Sequence, residues 1–209
     1  MGISVNDSKL AELAQMIESW PGLVSAPVDE LIDDSLVLAD RIDGAAAVID
    51  VGSGGGLPGL PLKLVLPDLR LTLLEADARK ASFLVQACAR LGLRDVEVVN
   101  RRAEAAGHDA QLREHFDVAV ARALAALPVV VELCLPFVRV GGRLLAQKTQ
   151  GEDMTSAGRA IDLLGGALEL VVDAPSRSRS KGTIVVIEKV RPTPPGYPRR
   201  SGVPARKPL

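Results

Sequence analysis

The chain has 209 residues, of which 47% are hydrophobic and 24% charged, and this is enough for one globular domain with a sizeable core. Aromatic residues make up only 2%, which argues against modules that stack single-stranded nucleic acid on several aromatic side chains. The two cysteines lie far apart without a nearby His-Cys pattern, so we expect reduced thiols and neither a disulfide framework nor a metal site. We see no secretory signal pattern, and the most apolar stretch, residues 123–138, carries Glu132 and two prolines. We therefore expect a cytoplasmic protein without a membrane span.

The net charge of −1 is unevenly spread. From Pro175 to Leu209 there are nine Lys and Arg against one Glu, so this end of the chain is basic and the remainder is acidic. A basic end is typical of a protein with one face against a polyanion, because phosphate contacts supply most of the affinity for nucleic acid. A solvated tail that aids solubility explains the same charges equally well. Residues 192–209 are rich in Pro and Arg and are expected to form no regular structure on their own.

Residues 1–43 are expected to form a small N-terminal helical cap. Asn6 or Asp7 can cap a first helix, which ends at Trp20-Pro21-Gly22. A second helix is predicted from about residue 27 to residue 41. Adjacent residues of a helix point in different directions, so no paired-carboxylate site is expected there. The aspartates of this helix are assigned to a solvated face: Asp33, Asp34 and Asp40.

The most informative stretch runs from Val48 to Gly59. A short apolar run stops in a cluster of five glycines within eight residues, and residues compatible with a helix follow. This pattern predicts a buried strand, a tight turn and a helix start. Glycine permits positive φ and close approach of a ligand to the main chain, and the helix start offers free N–H groups. A plain turn would need only one or two glycines, so the pattern favours a ligand-binding corner.

The register of these glycines distinguishes between cofactors. The dinucleotide fingerprint G-x-G-x-x-G needs its first glycine at the strand end, and counting from Gly52 places Leu57 at the last glycine position. Counting from Gly54 restores a match but moves the turn two residues beyond the strand. As acid-x-Gly-x-Gly-x-Gly, with Asp50 as the acid and Gly52, Gly54 and Gly56 as the glycines, the stretch resembles the first motif of S-adenosylmethionine-dependent methyltransferases. This resemblance implies S-adenosyl-L-methionine as the cofactor.

The next two predicted strands add residues to the same edge of the sheet. The second strand, residues 71–74, ends in Glu75, about 20 positions after the glycine turn, where a carboxylate can hold a ribose diol by two hydrogen bonds. The third strand, residues 96–99, leads to Ala103 and Glu104. Ligands lie across the carboxyl ends of the strands in a doubly wound sheet, so we expect these two residues beside the adenine.

The fourth and fifth predicted strands lead to basic residues. Residues 116–120 are followed by Arg122, which would face the cleft where the methyl group is presented, and residues 143–147 end at Lys148. Both side chains are expected to shape the cleft around the substrate. The segments between these strands are predicted to be a helix and a turn: residues 125–138 and Gly141-Gly142. Two closing strands, joined by a basic loop, complete an α/β, Rossmann-like, doubly wound sheet: residues 167–172 and 183–190.

From about Leu31 to the C-terminus, the chain resembles the ribosomal RNA small-subunit methyltransferase G family. The resemblance depends on five stretches: Asp-Val-Gly-Ser-Gly-Gly-Gly-Leu-Pro-Gly at 50–59, Arg-Ala-Glu at 102–104, Ala-Arg-Ala at 121–123, Gln-Lys at 147–148 and the tail at 197–209. The first stretch alone identifies only a methyltransferase, whereas its Leu-Pro-Gly end and the tail make the resemblance specific. Carried over by position, it implies that five residues contact the cofactor: Gly52, Leu57, Ala103, Glu104 and Arg122.

The resemblance also implies a reaction, the transfer of a methyl group to N7 of a guanine in the 530 loop of 16S rRNA, either naked or within the 30S subunit. The basic tail would help to hold the RNA, and we assign this role to Arg199, Arg200 and Lys207. Guanine N7 carries a lone pair and no proton, so the reaction needs positioning more than a general base. We therefore predict no catalytic base, and neither His108 nor His115 is assigned one.

These expectations divide the chain into a helical cap (1–43), a methyltransferase domain (44–191) and a basic C-terminal tail (192–209). We expect a monomer that binds no metal. Two other functions stay open. A methyltransferase for a small molecule would lose nothing when the tail is neutralised. A non-catalytic RNA-binding assembly protein would bind RNA with strong salt dependence but would have no affinity for the cofactor.

Overall fold

A computed structural model of the chain describes residues 5–24, 27–151 and 154–209. The described residues form a single seven-stranded sheet with helices on both faces. Its strands are β1 (Ala47–Val51), β2 (Arg70–Leu74), β3 (Val96–Val99), β4 (Phe116–Arg122), β5 (Val138–Thr149), β6 (Gly166–Asp173) and β7 (Gly182–Lys189). Their order across the sheet is β3-β2-β1-β4-β5-β7-β6, and β7 runs antiparallel to both of its neighbours.

This topology gathers the predicted site residues at one edge. The first five strands are parallel, so their carboxyl ends meet on the same side of the sheet. The chain leaves β1 for β2 in one direction and later returns to place β4 on the other side of β1. Ligands bind at such a reversal of strand order in open α/β sheets. The predicted Rossmann-like, doubly wound fold is confirmed.

Eight α-helices are present among the described residues: α1 (Val5–Ser19), α2 (Val28–Leu36), α3 (Gly59–Val65), α4 (Ala78–Arg90), α5 (Ala103–Ala106), α6 (Leu127–Cys134), α7 (Met154–Leu163) and α8 (Val203–Arg206). They create an apolar cluster on each face of the sheet. Val48 belongs to the cluster shared with α1 to α4, whereas Ile49 and Val51 belong to the cluster shared with α6 and α7. Strands buried on both faces read as continuous apolar runs, as β1 does.

The N-terminal helices differ in detail from the prediction. Helix α1 already contains Val5, so Asn6 and Asp7 lie within the helix and not at its cap. The predicted second helix is divided into α2 and a 3₁₀ turn at Ala39–Arg41. Helix α7 was not predicted from the sequence. No helix in the described part of the chain is long and apolar enough to cross a membrane.

Strand β5 begins earlier than predicted and includes Gly141-Gly142, which we had assigned to a turn. The pairing of β5 with β4 is irregular at this point, because Phe116 pairs with Val138 whereas Val118 pairs with Arg143. A Cβ atom on Gly142 would lie 2.6 Å from the carbonyl oxygen of Asp117. The glycine pair therefore permits an irregularity within the strand. The preceding helix is also shorter than predicted: α6 ends at Cys134 and is followed by a 3₁₀ turn at Leu135–Phe137.

Candidate active site

The glycine turn after β1 adopts the conformation that its sequence predicts. Gly52, Gly54 and Gly56 have positive φ angles of 76°, 57° and 83°, a region that favours glycine. A Cβ atom on Gly52 would lie 2.6 Å from Leu124 Cδ1, and one on Gly56 would overlap the side chain of Leu60. A Cβ atom on Gly54 would meet no atom closer than 3.8 Å. The space beside Gly54 is therefore open to a ligand.

Glu75 holds this turn in place. Its side chain is only 8% exposed, and its Oε2 accepts a hydrogen bond from the backbone N–H of Gly54 at 2.7 Å. The other oxygen, Oε1, accepts from the N–H of Asp77 at 2.7 Å. A carboxylate has about four lone-pair sites, so two remain for the ribose contact predicted from the sequence. Sequence reasoning placed Glu75 at the correct strand end but missed its bond to the glycine turn.

Asp50, the acid of the motif, is buried beneath the turn. Its Oδ2 accepts from the N–H of Gly59 at 2.9 Å, and its Oδ1 is buried without a hydrogen-bond partner among the described residues. A Cβ atom on Gly59 would lie 2.8 Å from Asp50 Oδ2, so glycine permits this close approach. Burial raises the pKa of Asp50 to about 7, although the positive charge of Arg122 opposes the shift.

Ala103 and Glu104 lie in α5, just beyond β3, where the prediction placed them. The Oε1 atom of Glu104 accepts from the N–H of Gly202 at 2.8 Å, so the C-terminal tail reaches this side of the site. Leu57 is buried in the core below the glycine turn, with 3% exposure. Its side chain therefore supports the turn from inside.

The cofactor edge has the groups that S-adenosylmethionine requires. An open space lies beside Gly54, the carboxylate of Glu75 contacts the N–H of that glycine, and one carboxylate oxygen of Asp50, buried beneath the turn, has no partner in the described structure. Buried polar atoms are normally hydrogen-bonded, so an unpaired one at a ligand edge indicates a missing partner. A cationic ligand with hydroxyl donors suits such a carboxylate-rich edge. The residues present therefore fit this cofactor.

A cavity of about 330 Å³ lies on the other side of β4, between the ends of β4 and β5, helix α2 and the β6–β7 loop. Arg122 and Lys148 both line it, so the structure brings the two predicted substrate residues together. The Nζ atom of Lys148 donates to the carbonyl of Ala125 at 2.5 Å. A larger cavity, about 450 Å³, lies near Asp43 and Arg143, away from the glycine turn.

Asp34 also lines this cavity, and the prediction that it lies on a solvated face was wrong. It is only 2% exposed, and its Oδ1 accepts from Ser176 Oγ at 2.6 Å and from Arg179 Nε at 2.9 Å. Its Oδ2 lies 3.9 Å from Arg122 Nη1. Arg179 also donates to the carbonyl oxygens of Lys148 and Thr183. Asp34 thus connects the N-terminal cap to residues more than 80 positions later in the chain.

Three buried polar atoms of residues that line this cavity have no hydrogen-bond partner within the described chain: Nε of Arg122, Oε1 of Gln147 and Nη2 of Arg179. The last of these still lies 2.9 Å from Asp34 Oδ1 as an ion pair. Arg122 and Gln147 pair with each other in the register of β4 and β5. The amide nitrogen of Gln147 donates to the backbone carbonyl of Asp34 at 2.6 Å, which fixes the orientation of the amide. Burial lowers the pKa of Arg122, whereas the charges of Asp34 and Asp50 oppose this shift. Gln147 was predicted as the last residue of a strand and belongs to the Gln-Lys stretch of the resemblance, but no role was assigned to it.

The C-terminal tail is packed against the domain, and it contains the short helix α8. Arg199 contacts Glu132 of α6, whose side chain is 0% exposed, through Nε at 2.8 Å and Nη2 at 2.5 Å. Arg113 donates to four backbone carbonyls, three of them in the tail. Of the three tail cations assigned to RNA, Arg200 and Lys207 are exposed, whereas the guanidinium of Arg199 is engaged by Glu132.

Both histidines contact the backbone. A ring nitrogen of His108 lies 2.7 Å from the carbonyl oxygen of Pro198, and one of His115 lies 2.8 Å from that of Arg113. Over residues 5–24, 27–151 and 154–209, no group of three or more His, Cys, Asp and Glu side chains could hold a metal ion.

The sequence of the chain matches a family of methyltransferases and its curated members. The family model described as "GidB: rRNA small subunit methyltransferase G" matches residues 23–178. A ribosomal RNA small subunit methyltransferase G from Moorella thermoacetica is 46% identical over 177 residues, which cover 83% of this chain and 74% of that protein. The protein of the same name from Acetivibrio thermocellus is 36% identical, over 100% of this chain and 92% of its own length.

Solved structures share the fold at low sequence identity. The ribosomal protein L11 methylase from Lactobacillus delbrueckii subsp. bulgaricus has a TM-score of 0.61 and 16% identity, with 82% of this chain and 83% of that chain covered. TYW2 from M. jannaschii, solved in complex with AdoMet, has a TM-score of 0.60 and 13% identity, with 77% of each chain covered. The predicted fold class and S-adenosylmethionine cofactor are confirmed, and the chain belongs to the rRNA small subunit methyltransferase G family.

Proposed function

We propose that this protein transfers a methyl group from S-adenosylmethionine to N7 of a guanine in the 530 loop of 16S rRNA. One observation carries the proposal: the glycine turn and a cation-lined cavity lie on opposite sides of β4, at the same edge of the sheet. A methyl donor on the β1 side and an acceptor base on the β5 side would meet near Arg122. The family assignment supports ribosomal RNA as the source of that base.

The cofactor would be held on the β1 and β2 side of this edge. We assign its binding to Gly52, Gly54, Leu57, Glu75, Ala103, Glu104 and Arg122. When bound, S-adenosylmethionine supplies a methyl group activated by the sulfonium charge. The protein must then align the base with that methyl group and exclude water, which is positioning and not proton transfer.

The target base would enter the cavity between α2 and the ends of β4 and β5. Enzymes that modify a base must present it outside its stack, and a pocket of this size is suited to a single nucleotide. Arg122 and Lys148 make the cavity cationic next to the methyl donor. Because a base-modifying pocket must also hold the surrounding RNA, we assign phosphate contacts outside the cavity to Arg200 and Lys207, which are exposed. Arg199 would contribute mainly by fixing the tail that carries them.

Methyl incorporation from labelled cofactor tests the proposal. Wild-type protein is expected to label 30S subunits or 16S rRNA from a strain that lacks this activity. Gly54→Leu fills the open space beside the turn, so it is expected to abolish cofactor binding in calorimetry and to abolish labelling. The double variant Arg200→Met with Lys207→Met is expected to keep cofactor binding and to weaken RNA binding. The salt dependence of RNA binding should fall by the equivalent of about one to two phosphate contacts.

The two variants separate the proposal from other functions. Normal rRNA labelling by the tail variant would show that the tail does not hold RNA. RNA binding that is unchanged by Gly54→Leu, together with no cofactor binding by the wild type, would indicate a non-catalytic RNA-binding protein. Cofactor binding without any rRNA labelling would indicate a small-molecule substrate.

A further inference from the structure

The cavity beside β4 contains a donor and an acceptor that are both buried and both unpaired within the described chain. Arg122 Nε–H is the donor and Gln147 Oε1 is the acceptor. They occupy paired positions on adjacent parallel strands, so their side chains leave the sheet next to each other. Leaving a buried polar atom unsatisfied costs about 1–3 kcal/mol, and such atoms therefore require an explanation. A bound ligand that presents an acceptor next to a donor would satisfy both.

The orientation of Gln147 is fixed by its other hydrogen bond. Its amide nitrogen donates to the carbonyl of Asp34, so the oxygen is the atom that is left for a ligand. Gln147 itself is only 4% exposed, which leaves it little freedom to turn. The donor, Arg122 Nε on β4, is therefore nearer to the proposed cofactor position, and the acceptor, Gln147 Oε1 on β5, is farther from it.

This order complements one class of nucleobase edge. A base with a carbonyl next to a ring N–H, as in O6 and N1–H of guanine, presents an acceptor and then a donor. Adenine presents the reverse, an amino donor at N6 and an unprotonated N1. Flipped bases are read through hydrogen bonds to this edge. In guanine the carbonyl O6 also lies between N7 and N1. If N7 faces the methyl donor on the β1 side, O6 then lies towards Arg122 on β4 and N1 towards Gln147 on β5.

We propose that Gln147 is a specificity residue that accepts a hydrogen bond from N1–H of the target guanine, while Arg122 donates to O6 of the same base. The inference rests on the proposed function, because it takes a guanine of rRNA as the substrate. It adds Gln147 to the residues that contact the target base, and it gives a physical basis for selecting guanine over adenine.

The amino-acid tail of the cofactor also presents an acceptor, its carboxylate, next to a donor, its ammonium group. The location of the cavity favours the target base over the amino-acid part of the cofactor as the ligand of these two atoms. The cavity is lined by α2, the ends of β4 and β5 and the β6–β7 loop, and no residue from Gly52 to Gly59 lines it. Cofactor affinity distinguishes these two ligands.

The test uses 30S subunits reconstituted with ligated 16S rRNA in which the target guanosine is kept or is replaced by inosine or 2,6-diaminopurine. Inosine keeps O6 and N1–H, whereas 2,6-diaminopurine reverses both positions. Wild-type protein is expected to methylate inosine nearly as well as guanosine and to reject 2,6-diaminopurine. Gln147→Met removes the acceptor at similar size, so it is expected to reduce methylation of guanosine and the preference over 2,6-diaminopurine by about tenfold to 100-fold.

Gln150→Met is the matched control, because Gln150 is exposed just beyond β5 and lines no part of this cavity. It is expected to leave the preference unchanged. A preference that Gln147→Met does not alter would overturn the inference, as would rejection of inosine by the wild type. A fall in the cofactor affinity of Gln147→Met with unchanged base preference would assign the pair to the cofactor instead. Failure of the wild type to methylate guanosine in any particle would contradict the proposed function itself.

Discussion

The pair between Arg199 and Glu132 gives a sharp prediction about the tail. Glu132 is 0% exposed, and the Arg199 side chain is 24% exposed. Arg199→Met removes the two guanidinium contacts to Glu132, at 2.8 and 2.5 Å, and leaves only the backbone N–H of residue 199 on the carboxylate. It also removes the hydrogen bond from Nη2 to the carbonyl oxygen of Lys207. Removing one partner of a buried ion pair costs about 3–5 kcal/mol because the other charge stays buried. We expect a loss near the lower end, about 3 kcal/mol, since water can reach the arginine side.

Urea unfolding followed by circular dichroism measures this loss, and the neighbouring residue supplies the control. Arg200→Met removes an equal charge from an exposed position and should change the free energy of unfolding by less than about 0.5 kcal/mol. Adding Glu132→Met to Arg199→Met removes both charges and should recover part of the stability. Equal stability of the Arg199→Met and Arg200→Met variants would show that the ion pair with Glu132 does not stabilise the fold, and Arg199 would then count as a solvated cation available to RNA.

Two further predictions concern the glycine turn and the acid beneath it. A Cβ atom in Gly59→Ala would lie 2.7 Å from Leu73 Cδ2 and 2.8 Å from Asp50 Oδ2, so we expect a loss of about 1–3 kcal/mol in thermal unfolding. Gly158→Ala is its control, because the added atom meets nothing within 4 Å in α7 and should stabilise the protein by about 0.5–1 kcal/mol. Equal effects of the two would contradict the packing argument. The pKa of Asp50 is raised to about 7 in the folded state from an ordinary value of 3.8, so between these pH values the folded protein holds a proton that the unfolded chain has lost. The contribution of Asp50 to stability is therefore complete below about pH 4 and is lost as the pH rises through about 7. Asp50→Asn should remove this dependence in urea titrations from pH 4 to pH 8, and parallel curves for variant and wild type would show that Asp50 does not titrate in this range.

The central part of the fold could be predicted because its signals are local. The apolar run before Gly52, the acid at Glu75 and the arginine that ends β4 each lie at a strand end that the sequence itself marks. Parallel strands then bring their carboxyl ends together without any further information. This is why the glycine turn, α5 and Arg122 lie where they were expected.

The parts that were missed depend on partners far along the chain. Asp34 has the sequence context of a solvated helix residue, and only contacts with Ser176 and Arg179 show why it is buried. The tail has the composition of a disordered segment, yet Glu132 and Glu104 hold it on the domain. The partners of Asp34 and of the tail cannot be identified from local periodicity or charge. The cavity wall and the docked tail therefore required the structure.

Identification of the modified base tests the account most directly. The 16S rRNA is taken from 30S subunits of a strain that lacks this activity, after treatment with wild-type protein and labelled S-adenosylmethionine. Nuclease digests of it can be analysed by mass spectrometry, and each labelled methyl group can be mapped to its position. We predict a single N7-methylguanine within the 530 loop, which is absent after treatment with Gly54→Leu. A methyl group on another base, on another atom of guanine or at a site outside that loop would contradict the proposed reaction.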